Sequence, residues 1–216
     1  MLRLAVAPGQ VAASRLRRRE RRVSCAAGNA LVEPKTKIAF APELQGQRCL
    51  GVGVRSKQLL GPIAVSVYAL ALYCDEAEAK RMLAAQRTQD AAAALLAGDV
   101  PLTLSLVFAR SVTSAQFTDA ITSELATRST DAATLEAFCA YFRTRTLDAG
   151  AMVVLSSKPA AGLDVTVLAQ QSTTLPAPGA TFASPAFARA LLDVYLGERS
   201  IVPDAKAAWN AGARAL

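Results

Sequence analysis

CLGVGVRSKQLLGPIAVSVYALALYCD, residues 49–75, is the most informative stretch of the chain. Two apolar runs rich in β-branched residues flank a Gly61-Pro62 turn signal, which reads as two strands of a hairpin. With the hairpin centred on that turn, Arg55 falls opposite Tyr68, Gly53 opposite Leu70 and Gly51 opposite Leu72. Directly paired residues share a face of the sheet, so a cation and a phenol meet at one end of that face. A glycine facing a leucine is expected to leave empty volume above the sheet, so the hairpin proposes a cavity floor beside the Arg55–Tyr68 pair. The same two residues also fit a plainer reading, a solvated strand arginine and a core tyrosine with a wet hydroxyl.

Outward from the hairpin, residues 32–44 read as one or two short edge strands broken by Pro34 and Pro42. Residues 75–99 read as an alanine-rich helix capped by Asp75 and stopped near Gly98. Residues 101–112 alternate, with Leu102, Leu104 and Leu106 on one face and Thr103, Ser105 and Val107 on the other. Helices are expected over 114–128 and 131–148, opened by Ser114 and Asp131, and Leu135, Phe138 and Phe142 make a core stripe on the second. A hairpin over 151–157 and 162–171 follows, then a loop over 173–180. Two closing helices span 184–197 and 203–214, each with proline at its first turn. Strands, helices, strands and helices in that order argue an α+β fold with an antiparallel sheet.

The chain of 216 residues can bury one core, and its 52% hydrophobic content argues against disorder. No apolar run has the roughly 18 residues of a membrane span. There is no histidine, which removes Ser-His-Asp and Cys-His catalysis and the commonest transition-metal ligand. Cys25, Cys49, Cys74 and Cys139 lack CxxC spacing, so no metal and no cofactor is called for.

The net charge of +7 suggests nucleic acid at first sight. However, residues 1–30 hold seven arginines against one glutamate, whereas residues 31–216 are nearly balanced, with 17 basic and 16 acidic side chains. An Arg-rich, acid-poor segment ending in VSCAAG (23–28) has the composition of an organelle leader. Residues 1–27 are therefore expected to be a plastid transit peptide addressing the chain to the chloroplast stroma, with a mitochondrial leader as the rival and a nucleic-acid-binding arm as a third reading. Without that segment no basic patch interleaved with aromatics remains, so no nucleic-acid partner is expected.

GVGVRSK followed by GPIAVSVYALALYCD (51–75) resembles the chalcone isomerase-like family. PLTLSLVFARSVTSAQFTDAI (101–121) and SPAFARALLDVYLGERSIVPDAKAAW (184–209) are similar to later segments of that family, in the same order. The likeness covers residues 31–216. It implies an open-faced antiparallel β-sheet with a layer of helices on one side and a ligand cleft between them. Arg55 stands where the family places an anion-binding arginine. True isomerases carry a threonine at the position of Tyr68, and a tyrosine, an asparagine and a threonine where this chain has Phe117, Glu124 and Val194. Phe117 and Val194 offer no donor, and an ionised Glu124 only accepts.

Arginine followed thirteen residues later by tyrosine is similar to the fatty-acid-binding branch. The resemblance therefore implies a non-catalytic protein that holds a free fatty acid in an apolar cleft, its carboxylate on Arg55 and Tyr68. Leu70, Leu72, Phe117, Leu191 and Val194 are the expected tail wall. The alternatives are a chalcone–flavanone isomerase of weakened activity and a non-catalytic helper of flavonoid synthesis.

Overall fold

The computed structural model describes residues 29–60, 63–86, 88–128 and 131–216. The expected leader (1–27) and the Gly61-Pro62 turn lie outside the described residues.

Seven antiparallel strands form one meander in chain order. They are β3 (Glu43–Leu44), β4 (Gln47–Leu60), β5 (Ile63–Cys74), β6 (Leu102–Phe108), β7 (Met152–Lys158), β8 (Gly162–Leu168) and β9 (Ala180–Phe182). A separate two-stranded ribbon joins β1 (Leu31–Val32) to β2 (Ala39–Phe40). The helices are α1 (Glu76–Ala84), α2 (Ala91–Ala97), α3 (Ser114–Leu125), α4 (Ala132–Arg143), α5 (Pro185–Leu196) and α6 (Pro203–Arg214).

The period-two alternation sorts the side chains. Leu70, Leu72, Leu102, Leu104, Leu106, Val153 and Leu155 enter one large core with residues of all six helices. The opposite face carries a smaller cluster, in which Phe40 and Leu44 pack with Ala69, Ala71, Tyr73, Val107, Met152 and Val154. The expected α+β architecture, an antiparallel sheet with its helices on one face, is the one observed.

Several local expectations are corrected. The stretch 75–99 is two helices, because Asp90 accepts from the Ala93 amide and starts a new one. α3 is capped by Thr113, which forms a capping box with Gln116, so Ser114 is the first helical residue and not the cap. The expected loop over 173–180 ends at an edge strand too short to show alternation, β9, paired with β8.

The β4–β5 register pairs Arg55 with Tyr68, Gly53 with Leu70 and Gly51 with Leu72. Register shifts interrupt the pairing between Cys49 and Gly51 and between Arg55 and Ser56. The second is a bulge immediately beside the Arg55–Tyr68 pair, a device that re-aims side chains locally.

The expected cavity above the glycines is absent, because α6 fills it. A Cβ on Gly53 would lie 2.2 Å from Ala205 Cβ and 2.7 Å from its Cα, and one on Gly51 would meet Ala208 at 3.3 Å. A Cβ on Gly212 would likewise overlap the Leu50 carbonyl. Trp209, fully buried, donates its Nε1–H to the Gly51 carbonyl at 3.0 Å. These glycines bring helix backbone against strand backbone.

Gly53→Ala is therefore expected to destabilise the protein by about 1–3 kcal/mol, the usual range for overpacking a filled core. Denaturant unfolding checks this; an unchanged midpoint would mean that α6 is free to move off β4.

Candidate functional site

Tyr68 stands at the end of a row of aromatic rings. Its ring meets Phe108 edge-on at 5.6 Å, Phe108 meets Phe117 at 5.9 Å, and Phe117 meets Phe142 at 4.9 Å. Such pairs hold their rings by offset and edge contacts. The row fixes where the Tyr68 hydroxyl points, and that hydroxyl lies 3.3 Å from the hydroxyl of Tyr195 on α5. Both residues are buried, Tyr68 at 6% exposure and Tyr195 at 0%.

Arg55 is half-buried on the neighbouring strand. Its Nη1 donates to the Ile201 carbonyl at 2.9 Å, in the loop 197–202 between α5 and α6. The same loop is held on its other side by Arg128, whose side chain is only 8% exposed. Arg128 pairs with Asp193 at 2.8 Å and Glu124 at 3.6 Å, and donates to the Arg199 carbonyl at 3.3 Å. Within the loop, Ser200 Oγ donates to the Tyr195 carbonyl at 2.5 Å and the Ile201 amide to the Val194 carbonyl at 3.0 Å. Two arginines thus strap one loop across the end of α5 that carries Tyr195.

The charges around the phenols are mixed. Burial pushes the Tyr68 hydroxyl above its ordinary value; the Tyr195 bond and the Arg55 charge oppose that push, and the Glu124 carboxylate adds to it. Burial also pushes Tyr195 well up, and the neighbouring Tyr68 phenol works in the same direction. Both phenols are accordingly protonated at neutral pH and are available as donors.

The sequence-predicted residues are brought together as follows. Arg55 and Tyr68 are cross-strand partners. Leu70, Leu72, Phe117, Leu191 and Val194 belong to the same buried cluster as Tyr68 and Tyr195, all but Phe117 at 0% exposure and Phe117 at 4%. The site is closed, with its apolar side chains packed on one another. A groove of about 800 Å³ lies elsewhere, on the outer face, near Lys35, Ser66, Arg110 and Gln171, and none of the seven predicted residues lines it.

Sequence reading missed Tyr195. It attended to Val194, one residue earlier, where the family comparison expects a hydroxyl. The available signal was a tyrosine in the apolar face of α5, eight residues from the buried Phe187.

Among the described residues no group of three metal-ligating side chains converges, and no helix is long and apolar enough to cross a membrane.

Comparison with known proteins places these features in a family context. The family model described as chalcone isomerase-like matches residues 47–208. Fatty-acid-binding protein 1 of Arabidopsis thaliana is 40% identical over 58 residues, 26% of this chain and 21% of that protein. Chalcone isomerase-like protein 1 of Humulus lupulus is 35% identical over 88 residues, 37% of this chain and 41% of the relative. The aligned segments thus span well under half the length of either relative. The crystal structure of the Arabidopsis thaliana fatty-acid binding protein superposes with a TM-score of 0.72 at 22% identity, covering 85% of this chain and 97% of that one. That likeness establishes the shared fold.

Three of the four tyrosines, Tyr68, Tyr73 and Tyr195, have hydroxyls pushed above the ordinary value by burial. In the unfolded chain the same phenols ionise near pH 10, so stability is expected to fall as pH rises above about 10. An alkaline absorbance titration checks this: these phenolates are expected to appear together with unfolding, and gradual ionisation of the folded protein would contradict the burial.

Proposed function

This chain belongs to the chalcone isomerase-like family, and on that premise we propose that it is a non-catalytic fatty-acid-binding protein, holding a free fatty acid by its carboxylate on Arg55 and Tyr68 and supporting plastid fatty-acid metabolism. The observation that carries this reading is the placement of a guanidinium and a buried phenol on paired positions of β4 and β5. A carboxylate taken out of water needs a cation and donors. A guanidinium meets it with a planar fork, and the phenol adds a further donor. The Ile201 carbonyl accepts from Arg55, and an entering carboxylate would exchange with it.

The acyl chain would lie between sheet and helices, among Leu70, Leu72, Phe117, Leu191 and Val194. Each methylene buried there is worth about 0.8 kcal/mol, so a tail of about ten contributes roughly 8 kcal/mol gross. Each charge-assisted bond at the head adds about 1.5–3 kcal/mol. Because the apolar residues are packed in the closed form, part of this gain goes to opening the helical layer, and the observed affinity falls in proportion to the rarity of the open state. Micromolar binding, about 8.2 kcal/mol net, therefore needs both head and tail.

The Arg-rich segment ending in VSCAAG (23–28) supports the plastid address. A mitochondrial address is its rival, and fluorescent-protein fusions of residues 1–30 separate the two. One observation favours a second, isomerase reading: Tyr195 supplies a hydroxyl beside Tyr68, next to the position where Val194 offers none. Turnover of naringenin chalcone above the solution rate, lost in Arg55→Ala, would establish that reading instead.

Lipid extracted from the protein purified without detergent is expected to contain one free fatty acid per chain. Arg55→Ala is expected to weaken fatty-acid binding by about tenfold or more, the equivalent of about 1.4 kcal/mol. Unchanged affinity in titration calorimetry would remove Arg55 from the site.

A further inference from the structure

Resting on the fatty-acid reading, we propose that Tyr195 is a third head-group residue, and that Tyr68 and Tyr195 together form a two-phenol clamp that selects a carboxylate over the neutral alcohol of the same chain length.

The argument is a count of protons. The two phenols lie 3.3 Å apart, oxygen to oxygen, and bring two O–H protons into a buried space. One proton makes the bond between them. The other finds no acceptor among the described residues, since neither hydroxyl has a second partner there. A buried donor without an acceptor is unfavourable, and it is relieved by any group that only accepts. A carboxylate oxygen is such a group: it takes both O–H donors at once, and its second oxygen faces Arg55. An alcohol head brings a proton of its own, restoring the surplus, and carries no charge for Arg55 to meet.

Tyr195 is held to this task by the loop that also contacts Arg55. The Ser200 hydroxyl bonds the Tyr195 carbonyl, and the next residue, Ile201, bonds both Arg55 and the Val194 carbonyl. Arg128 ties that loop to α3 through Glu124 and to α5 through Asp193. A carboxylate that takes the Arg55 guanidinium from Ile201 therefore arrives at the turn from which the Tyr195 side chain projects. The charged groups facing the two phenols are Arg55 from β4 and Glu124 from α3, which oppose each other. The phenols are thus the part of the site that tells an acceptor from a donor.

The test is competition binding of dodecanoate and dodecanol, against a fluorescent fatty acid, to the whole chain and to Tyr195→Phe. The ring is kept and only the hydroxyl removed. The wild type is expected to prefer dodecanoate. Tyr195→Phe is expected to bind dodecanoate about tenfold more weakly and dodecanol unchanged, so that the preference shrinks by the same factor. If the wild type binds dodecanoate and Tyr195→Phe binds it equally well, the clamp is wrong while the fatty-acid reading stands. If the wild type binds neither, both fall. Should Tyr195→Phe not fold, a crystal structure of the wild type with dodecanoate decides: a carboxylate oxygen within hydrogen-bond distance of Tyr195 Oη supports the clamp, and a head group bound away from it overturns it.

Discussion

Where α6 lies on β4, helix backbone meets strand backbone directly. Gly51, Gly53 and Gly212 make it possible, and Ala205 and Ala208 occupy the space those glycines leave. The Trp209 bond to the Gly51 carbonyl seals the contact with a buried polar link. An approach this close fixes the height of α6 above the sheet. Through the loop 197–202 it also fixes where α5 ends, and the last turn of α5 carries Tyr195. The position of a hydroxyl in the core thus traces back to residues that have no side chain at all.

Two further constraints converge on the same place. The aromatic row from Phe142 through Phe117 and Phe108 to Tyr68 holds one phenol from the sheet side. The Arg128 ion pairs hold the other from the helix side. Arg128 is almost wholly buried and meets two carboxylates and two backbone carbonyls, so its charge and most of its donors are answered. Arg55 is different: it is half-buried, and its bonds among the described residues go to backbone carbonyls rather than to an acid. A half-buried guanidinium held, among the described residues, by backbone carbonyls and set beside two buried phenols is the feature that sets this region apart from ordinary packing.

The packing of this region follows from the chemistry of its side chains. The leucine and valine side chains between sheet and helices pack on one another as a continuous core. On the proposed fatty-acid reading, binding would exchange protein–protein apolar contacts for protein–ligand ones, with the opening of the helical layer as its cost.

The hairpin was legible in residues 49–75 from its β-branched runs and the Gly61-Pro62 turn signal, and centring it on that turn supplied the register. The pairing of Arg55 with Tyr68 followed from that register alone, as did the leucine face of β6. The division of 75–99 into two helices was not legible, since alanine favours helix on both sides of the break and only the Asp90 cap marks it. The role of the hairpin glycines was misread: sequence shows that a glycine removes volume, but not what arrives to use it, and the occupant, α6, comes from about 150 residues further along the chain. Tyr195 was missed for the same reason, because a tyrosine in an apolar helical stripe looks like core until its hydroxyl is seen to meet another. Local patterning thus set the longer strands, the Arg55–Tyr68 register of the central hairpin and the residue types on each face, but not the short strand β9 or the bulges that shift the pairing on either side. The filled space above Gly53, the partner of the Tyr68 hydroxyl and the loop on Arg55 emerged with the folded molecule, because each depends on distant chain segments that meet through packing and leave no periodic trace.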